Sequence, residues 1–345
     1  MFRTDIPKTG RLSKKKCNAL QFISIPANPL AKDPLGGESG RVIPYAELEE
    51  FFSDLVATAQ ARGIMCAITS GMACVHFGVA ATTKDCDVLC EAAQSDAFRE
   101  LVAATPLRGV FPNYRGNISP PLDSRWMSGG WTSHFTWKTK PEEACLDIFG
   151  IAPRGSSPWH RQLSGIYARP NVVAEMKRTN REKDWPFATA LGGQMLDEGD
   201  EEGWLHLYDV DVLRLCAKQG PPPGALSGLR PLLRLAPFSD TLRVKRLLLA
   251  ERVFWSELDE LRVKIYQKPL RPYTAAVRRA SVEGRTLSQS HDLRIECALN
   301  HLPLQPLREY GLDRMVAEAR ANVSVTVGPD VLDWLPAAEN HFCGL

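Results

Sequence analysis

Residues Ser70–Cys90 read SGMACVHFGVAATTKDCDVLC, and this stretch decides the fold. It directly follows the apolar run IMCAIT, which predicts a buried strand. The apolar residues from Met72 to Phe77 predict a short helix that ends at Gly78. A Thr-Thr-Lys turn then leads to CDVLCE, which predicts a second strand. This order of strand, helix and strand indicates a small mixed sheet with helices packed against it.

Asp85 and Asp87 lie one residue apart at the start of the second predicted strand. Side chains at this spacing point to the same face of a strand, about 6 to 7 Å apart. Two carboxylates this close repel each other unless a proton or a cation lies between them. Oxygen ligands without histidine or cysteine favour Mg²⁺ or Mn²⁺. The alternative is that this Asp-x-Asp simply begins a strand after a turn, with both carboxylates in water.

Ser70 and Gly71 form the turn between the first strand and the short helix. Free backbone N–H groups at the start of a helix attract anions, and a glycine lets a phosphate approach the backbone closely. The pair therefore predicts a phosphate site that faces the two aspartates. A plain strand-to-helix turn is the alternative.

Asp147 is a lone acid within the apolar run CLDIFG. The segments SHFTWK and ACLDIFG predict two strands joined at Lys140-Pro141. A carboxylate inside a buried strand needs a partner, so Asp147 is a candidate third ligand for a metal centre. Alternatively, it faces solvent from a half-buried strand.

The chain has 345 residues, 44% of them hydrophobic, and a formal net charge of +2. Its weak overall charge leaves any affinity for polyanions to local segments. Residues 1–40 lack periodicity and predict an extended arm. Residues 41–200 predict the α+β domain, with a helix beginning near Tyr45, and residues 201–345 predict a mainly α-helical domain.

Nine cysteines are scattered without a CxxC pair, which is typical of reduced thiols. The sequence contains no apolar run of about 18 residues that would cross a membrane. We therefore expect a cytoplasmic protein without a membrane partner.

These motifs together resemble the nucleotidyltransferase superfamily related to DNA polymerase β. Its pattern is a glycine-containing turn, then two acids one residue apart, then one acid on a later strand. Ser70-Gly71, Thr83 with the Asp85–Asp87 pair, and Asp147 occupy these places. The order is most similar to the minimal bacterial branch, which includes nucleotidyltransferase toxins of abortive-infection systems. Here the turn reads Ser-Gly, with Met following the glycine.

The segment EMKRTNREKDWPFATAL resembles the lysine motif of the same branch through Lys177, Arg181, Lys183 and Asp184. On a helix, positions 177, 181 and 184 share one face and present cations to a triphosphate. We expect that helix to break near Trp185-Pro186. A solvated, charged helix face is the alternative.

The resemblance implies a Mg²⁺- or Mn²⁺-dependent transfer of a nucleotide from a nucleoside triphosphate such as ATP to an acceptor hydroxyl. Asp85, Asp87 and Asp147 would be the catalytic and metal-binding residues. The nucleotide would be held by the turn and the lysine motif: Ser70, Gly71, Thr83, Lys177, Arg181, Lys183 and Asp184. The enzyme would belong to a toxin-type or defence system with a candidate antitoxin partner. The alternatives are a non-catalytic binding or regulatory module and a phosphohydrolase. The latter is disfavoured because no His-Asp pair accompanies the acids in the sequence, where the histidines are isolated: His76, His134, His160 and His206.

The segment Gly228–Arg285 holds 13 Lys or Arg against 6 Asp or Glu, with Trp255, Tyr266 and Tyr273 among them. Cations with interleaved aromatic residues predict an RNA acceptor, for example a tRNA end, through phosphate contacts and base stacking. A protein or small-molecule hydroxyl remains the alternative acceptor.

Overall fold

The computed structural model describes residues 43–160, 162–235, 240–281 and 284–342. The expected N-terminal arm, residues 1–40, lies outside them. The strands are β1 (Cys66–Thr69), β2 (Cys86–Cys90), β3 (Asn113–Tyr114), β4 (Thr132–Lys138) and β5 (Glu143–Phe149).

The α-helices of the described residues are α1 (Tyr45–Ala61), α2 (Ser70–His76), α3 (Ser95–Ala103), α4 (Ser124–Met127), α5 (Pro170–Met176), α6 (Trp185–Asp197), α7 (Val210–Ala217), α8 (Thr241–Arg279), α9 (Leu287–His301), α10 (Pro306–Tyr310) and α11 (Leu312–Thr326). None of them has both the length and the apolar character needed to cross a bilayer. The α+β class and the helical C-terminal region expected from the sequence are therefore confirmed.

The five strands form one mixed sheet in the order β1-β2-β5-β4-β3. Strand β2 pairs antiparallel with β1 and parallel with β5, and β4 pairs antiparallel with both β5 and β3. The register places Asp87 between Thr69 of β1 and Asp147 of β5, while His134 of β4 lies on the other side of Asp147. The sheet thus puts the predicted acids on adjacent central strands.

Helix α1 packs against the sheet through an apolar stripe at helical spacing, as its sequence predicts. The buried members are Leu48, Phe52, Leu55, Val56 and Ala59. All four residues of β1 are buried, so the turn that follows this strand starts from a fixed position.

The long helix α8 forms the centre of the helical region and also contacts the sheet region. Its residues Phe254, Trp255 and Leu258 belong to a second core, which also includes Trp185 of α6. A third, smaller core contains Tyr273 of α8 together with Trp126 of α4. The helical region is therefore packed directly against the segments that carry the predicted site.

The expectation of one helix through the lysine motif, with a break near Trp185-Pro186, is wrong. Helix α5 ends at Met176, and α6 begins at Trp185, with Pro186 in its first turn, where no N–H bond is needed. Between the helices, Arg154 donates to the carbonyl of Met176, and the N–H of Asn180 donates to Asp259 of α8. Tertiary hydrogen bonds thus replace those that a continuous helix would make.

Candidate active site

Ser70 follows β1 directly and has a φ of 53°, in the left-handed region. A non-glycine residue there costs about 1 to 3 kcal/mol, and such strain is concentrated at functional sites. The Ser70 hydroxyl donates to the Asp87 carboxylate and accepts a hydrogen bond from Lys177 Nζ at 3.4 Å. Ser70 therefore connects the turn to both the acidic and the basic parts of the site.

Gly71 is the second residue of the turn and lies against Thr83. A Cβ atom at position 71 would lie 2.5 Å from Thr83 Oγ1 and 3.1 Å from Thr83 Cβ. The Thr83 hydroxyl in turn donates to Asp85 Oδ1 at 3.0 Å. A glycine is needed here so that the loop bearing Thr83 and Asp85 can close over the turn.

Helix α2 has only seven residues. A helix this short contributes a weak dipole, so α2 by itself gives little support to the phosphate site expected at Ser70-Gly71. Lys177 is the cation that the structure places beside Ser70.

The three predicted carboxylates come together at one edge of β2 and β5. Asp87 and Asp147 are register partners, and Asp85 lies one residue before β2. Burial, followed by the negative charges of Asp85 and Asp147, raises the pKa of Asp87 to about 7. Burial is the larger cause of this shift, and the part that comes from Asp85 and Asp147 reflects the mutual repulsion of three acids, which a bound cation would relieve.

Asp147 is held by two residues that sequence reasoning did not select. Arg115 Nη2 lies 2.8 Å from Asp147 Oδ1 and 3.1 Å from Oδ2, and His134 Nδ1 lies 2.9 Å from Oδ1. Burial alone would raise the pKa of Asp147, but the hydrogen bond from His134 and the charge of Arg115 lower it. The carboxylate is thus ionised and already partly neutralised.

His134 is not isolated, contrary to the expectation from its place in the sequence. A hairpin centred on Lys140-Pro141 pairs His134 with Asp147, so the predicted turn already contained this signal. Arg115 gave no comparable signal, because it follows the two-residue strand β3 and reaches the site only through the β3–β4 pairing.

Lys177 follows α5 directly and is only 7% exposed. Its Nζ lies 3.7 Å from Asp184 Oδ1 and 5.6 Å from the centre of the Phe187 ring, besides its contact with Ser70. A buried ammonium held between a carboxylate, an aromatic face and a hydroxyl has a fixed position. It is therefore suited to bind a phosphate oxygen.

The remaining residues of the lysine motif do not share a helix face, because this segment is not one helix. Asp184 is 2% exposed, and its Oδ2 accepts from Arg181 Nε at 2.7 Å and from Thr179 Oγ1 at 2.6 Å. The structure thus brings Lys177, Arg181 and Asp184 together through ion pairs. Lys183 is exposed on the turn between them.

A second polar cluster lies elsewhere, where Asp96, Asp123 and His291 bring one ligand atom each within 4.8 Å of one another. Each acid already has an arginine partner: Arg99 lies 3.2 Å from Asp96, and Arg125 lies 2.8 Å from Asp123. This group can be satisfied without a metal, whereas the charge on Asp85 and Asp87 has no such pair of arginines among the described residues.

The chain significantly matches no protein-family model, no curated protein and no solved structure. Its functional assignment therefore depends on the motifs and on the geometry of the site.

Proposed function

We propose that this protein is a Mg²⁺-dependent nucleotidyltransferase, which moves a nucleoside monophosphate from a triphosphate to an acceptor hydroxyl. The supporting observation is the pairing of Asp87 with Asp147 on parallel strands, with Asp85 beside them and the buried Lys177 opposite, across Ser70. The acids that would bind a metal therefore lie on one side of the Ser70-Gly71 turn, and the lysine that would bind phosphates lies on the other.

The donor set fits Mg²⁺ or Mn²⁺. It consists of carboxylate oxygens on the rigid central strands of a sheet, the ligand type that hard divalent cations prefer. The raised pKa of Asp87 supports the same interpretation, since a divalent cation would relieve the repulsion from Asp85 and Asp147. When bound, the metal supplies stabilisation of charge on the attacking and leaving oxygens.

The protein's own residues have separate tasks in this proposal. Lys177 and the Ser70 hydroxyl bind the phosphates and hold the α-phosphorus in line with the acceptor. The acceptor oxygen forms a bond to that phosphorus while the bond to the β-phosphate oxygen breaks, and pyrophosphate leaves. Asp147 accepts the hydroxyl proton, and Arg115 and His134 fix the orientation of its carboxylate.

The test is incorporation of each α-³²P-labelled triphosphate into total RNA and into protein, with and without Mg²⁺. Asp87→Asn should abolish incorporation because it removes a metal ligand, while the fold persists because the repulsion is relieved. Asp54→Asn, on the exposed face of α1, is the matched control and should behave like the wild type. Undiminished incorporation by the Asp87 variant would sink the proposal.

A non-catalytic nucleotide-binding module is the second candidate, and one observation favours it. Asp147 is already paired with Arg115 and His134, which limits its access to a metal or a proton. Calorimetry with ATP, with and without Mg²⁺, separates the two. If ATP binds in a Mg²⁺-dependent way but no labelled nucleotide is incorporated into any acceptor, the result supports the non-catalytic module.

A phosphohydrolase is the third candidate, because His134 and Asp147 form a His-Asp pair in the structure. The labelled triphosphates decide this point too. Labelled nucleoside diphosphate or free monophosphate, without a labelled acceptor, would indicate hydrolysis, whereas nucleotidyl transfer puts the α-phosphate label on the acceptor and releases unlabelled pyrophosphate.

A further inference from the structure

The second half of α8 carries a stripe of exposed cations. From Leu261 to Arg279 the sequence contains no acidic residue. Five of its cations are exposed, and we refer to them as the cationic stripe: Lys264, Lys268, Arg271, Arg278 and Arg279.

Helical geometry places these five residues on one face. At about 100° per residue they fall within an arc of about 100°, and at about 1.5 Å per residue they extend over about 22 Å. Tyr273 and Val277 of the same helix lie on the opposite side and are fully buried. The stripe is therefore the solvent face of a helix whose other face is anchored in the protein.

The charges of the stripe are largely unbalanced. Lys264 pairs with Glu260 at 3.2 Å, but the other four cations have no ion-pair partner among the described residues. Other arginines of α8 do have acidic partners: Arg246 with Asp330, Arg252 with Glu182, and Arg262 with Asp259. Like charges in a row along a helix repel one another, and a polyanion laid along them would relieve that repulsion.

The anchored face of the same helix reaches the acidic site. The Tyr273 hydroxyl donates to the carbonyl of Ser119 at 2.7 Å, and the hydroxyl of Ser119 accepts from the N–H of His134 at 2.8 Å. His134 contacts Asp147 directly. The helix that carries the stripe is thus linked to Asp147 through Ser119 and His134.

Base stacking by the aromatic residues of this segment, expected from the sequence, does not fit the structure. Trp255 and Tyr273 are buried, and the Tyr266 hydroxyl is bonded to the carbonyl of Gly129. A ligand of this surface would therefore be bound through its charge and not through its bases.

We propose that the cationic stripe binds the phosphate backbone of single-stranded RNA, independently of sequence, and that the bound RNA supplies the acceptor hydroxyl. Only the second part rests on the proposed function. Single-stranded polynucleotide in a cell is mostly RNA, and its backbone carries a regular series of negative charges that can pair with exposed cations spread over about 22 Å of helix. The four unbalanced cations give a salt dependence with a slope of about −3 in log K against log salt concentration.

The test measures binding of a fluorescein-labelled, mixed-sequence RNA of about 20 nucleotides by anisotropy, from about 50 to about 300 mM NaCl. The full chain is compared with the triple variant Lys268→Gln, Arg271→Gln, Arg278→Gln. The control variant removes three charges from the first half of the same helix: Arg243→Gln, Lys245→Gln and Arg246→Gln. Thermal unfolding establishes that both variants are folded.

We expect the stripe variant to bind RNA at least about tenfold more weakly and its salt slope to fall to about −1, with little change in the control. If RNA affinity falls equally in both variants, or in neither of them, the assignment of RNA binding to the cationic stripe is wrong. Competition by polyglutamate as strong as that by RNA would indicate an acidic protein partner instead. Tighter binding of double-stranded DNA of the same length would also refute the assignment.

Binding is measured without nucleotide or metal, and also in Asp87→Asn, so it does not depend on transfer. If RNA binds through the stripe but receives no nucleotide, the nucleotidyl transfer to RNA fails while the surface assignment stands. If the stripe variant incorporates nucleotide into an acceptor as well as the wild type does, the stripe does not hold the acceptor, and the proposed function stands.

Discussion

Asp87 and Asp147 are direct neighbours across the parallel pair β2–β5, although the helix α3, the strand β4 and a long loop separate them in sequence. This pairing adds Asp147 to the two acids that were already adjacent in the chain. Their shared charge determines how the site responds to pH, metal and mutation.

The pH dependence of stability follows from Asp87. Its pKa is raised from 3.8 to about 7, by burial first and then by Asp85 and Asp147. Between these values the folded protein binds a proton that the unfolded protein has lost, so the metal-free protein should lose stability as the pH rises. Melting temperatures in EDTA from about pH 5 to about pH 8 test this. The decline should be smaller in Asp87→Asn, and Mg²⁺ should raise the wild-type melting temperature more at the upper end than at the lower.

Arg115 occupies both carboxylate oxygens of Asp147, the same atoms that the proposed metal would use. Its guanidinium makes two contacts with this carboxylate, so Arg115→Gln should leave a more negative site with about fivefold higher affinity for Mn²⁺. Arg99→Gln, which removes a similar pair with Asp96 away from the site, serves as the control. Mn²⁺ titration by electron paramagnetic resonance measures both. Weaker Mn²⁺ binding by the Arg115 variant would mean that this arginine orients Asp147 for the metal.

Gly71 is required by its contact with Thr83. Gly71→Ala places a Cβ atom 2.5 Å from Thr83 Oγ1 and should cost about 1 to 2 kcal/mol of unfolding free energy. Adding Thr83→Ala should recover part of that loss, because the hydroxyl is removed. Gly220→Ala is the matched control, since its Cβ would meet nothing within 4 Å. Urea unfolding of these three variants and of Thr83→Ala alone gives the energies, and simple additivity in the double variant would contradict the contact.

Asp259 joins the helical region to the segment that carries Lys177. It accepts from Arg154 at 2.8 Å and from Arg262, and its pKa is lowered because these two cations outweigh the effect of its burial. Asp259→Asn leaves two partly or fully buried arginines without a counter-charge and should cost about 3 to 5 kcal/mol. Asp330→Asn, in an exposed pair, should cost much less.

The Asp259 variant should also bind ATP more weakly, because Arg154 no longer holds the carbonyl before Lys177 in place. Urea unfolding and ATP calorimetry below the unfolding transition check the two effects. ATP affinity equal to that of the wild type would show that the position of Lys177 does not depend on α8.

The parts of the site that follow from the sequence are those built from neighbouring residues. Turn residues, apolar runs and alternation predicted β1, α2, β2 and the β4–β5 hairpin, and hence Ser70, Asp85 and Asp87. The register of this hairpin also places His134 beside Asp147. Local hydrogen bonds and side-chain periodicity govern these features, and both can be read over a few residues.

The tertiary structure decided what depends on distant contacts. The periodicity of the lysine motif predicted a helix, yet Arg154 and Asp259 bind the backbone of this segment, which leaves Lys177 just beyond α5. The approach of Arg115 to Asp147 likewise depends on the pairing of β3 with β4. Buried backbone N–H and C=O groups need hydrogen-bond partners, but these partners need not belong to a helix. Side chains that are distant in the sequence can therefore override a local preference for helix. The sequence by itself therefore determined the Asp85–Asp87 pair and its turn, whereas only the folded chain brought Asp147 and the cations to it.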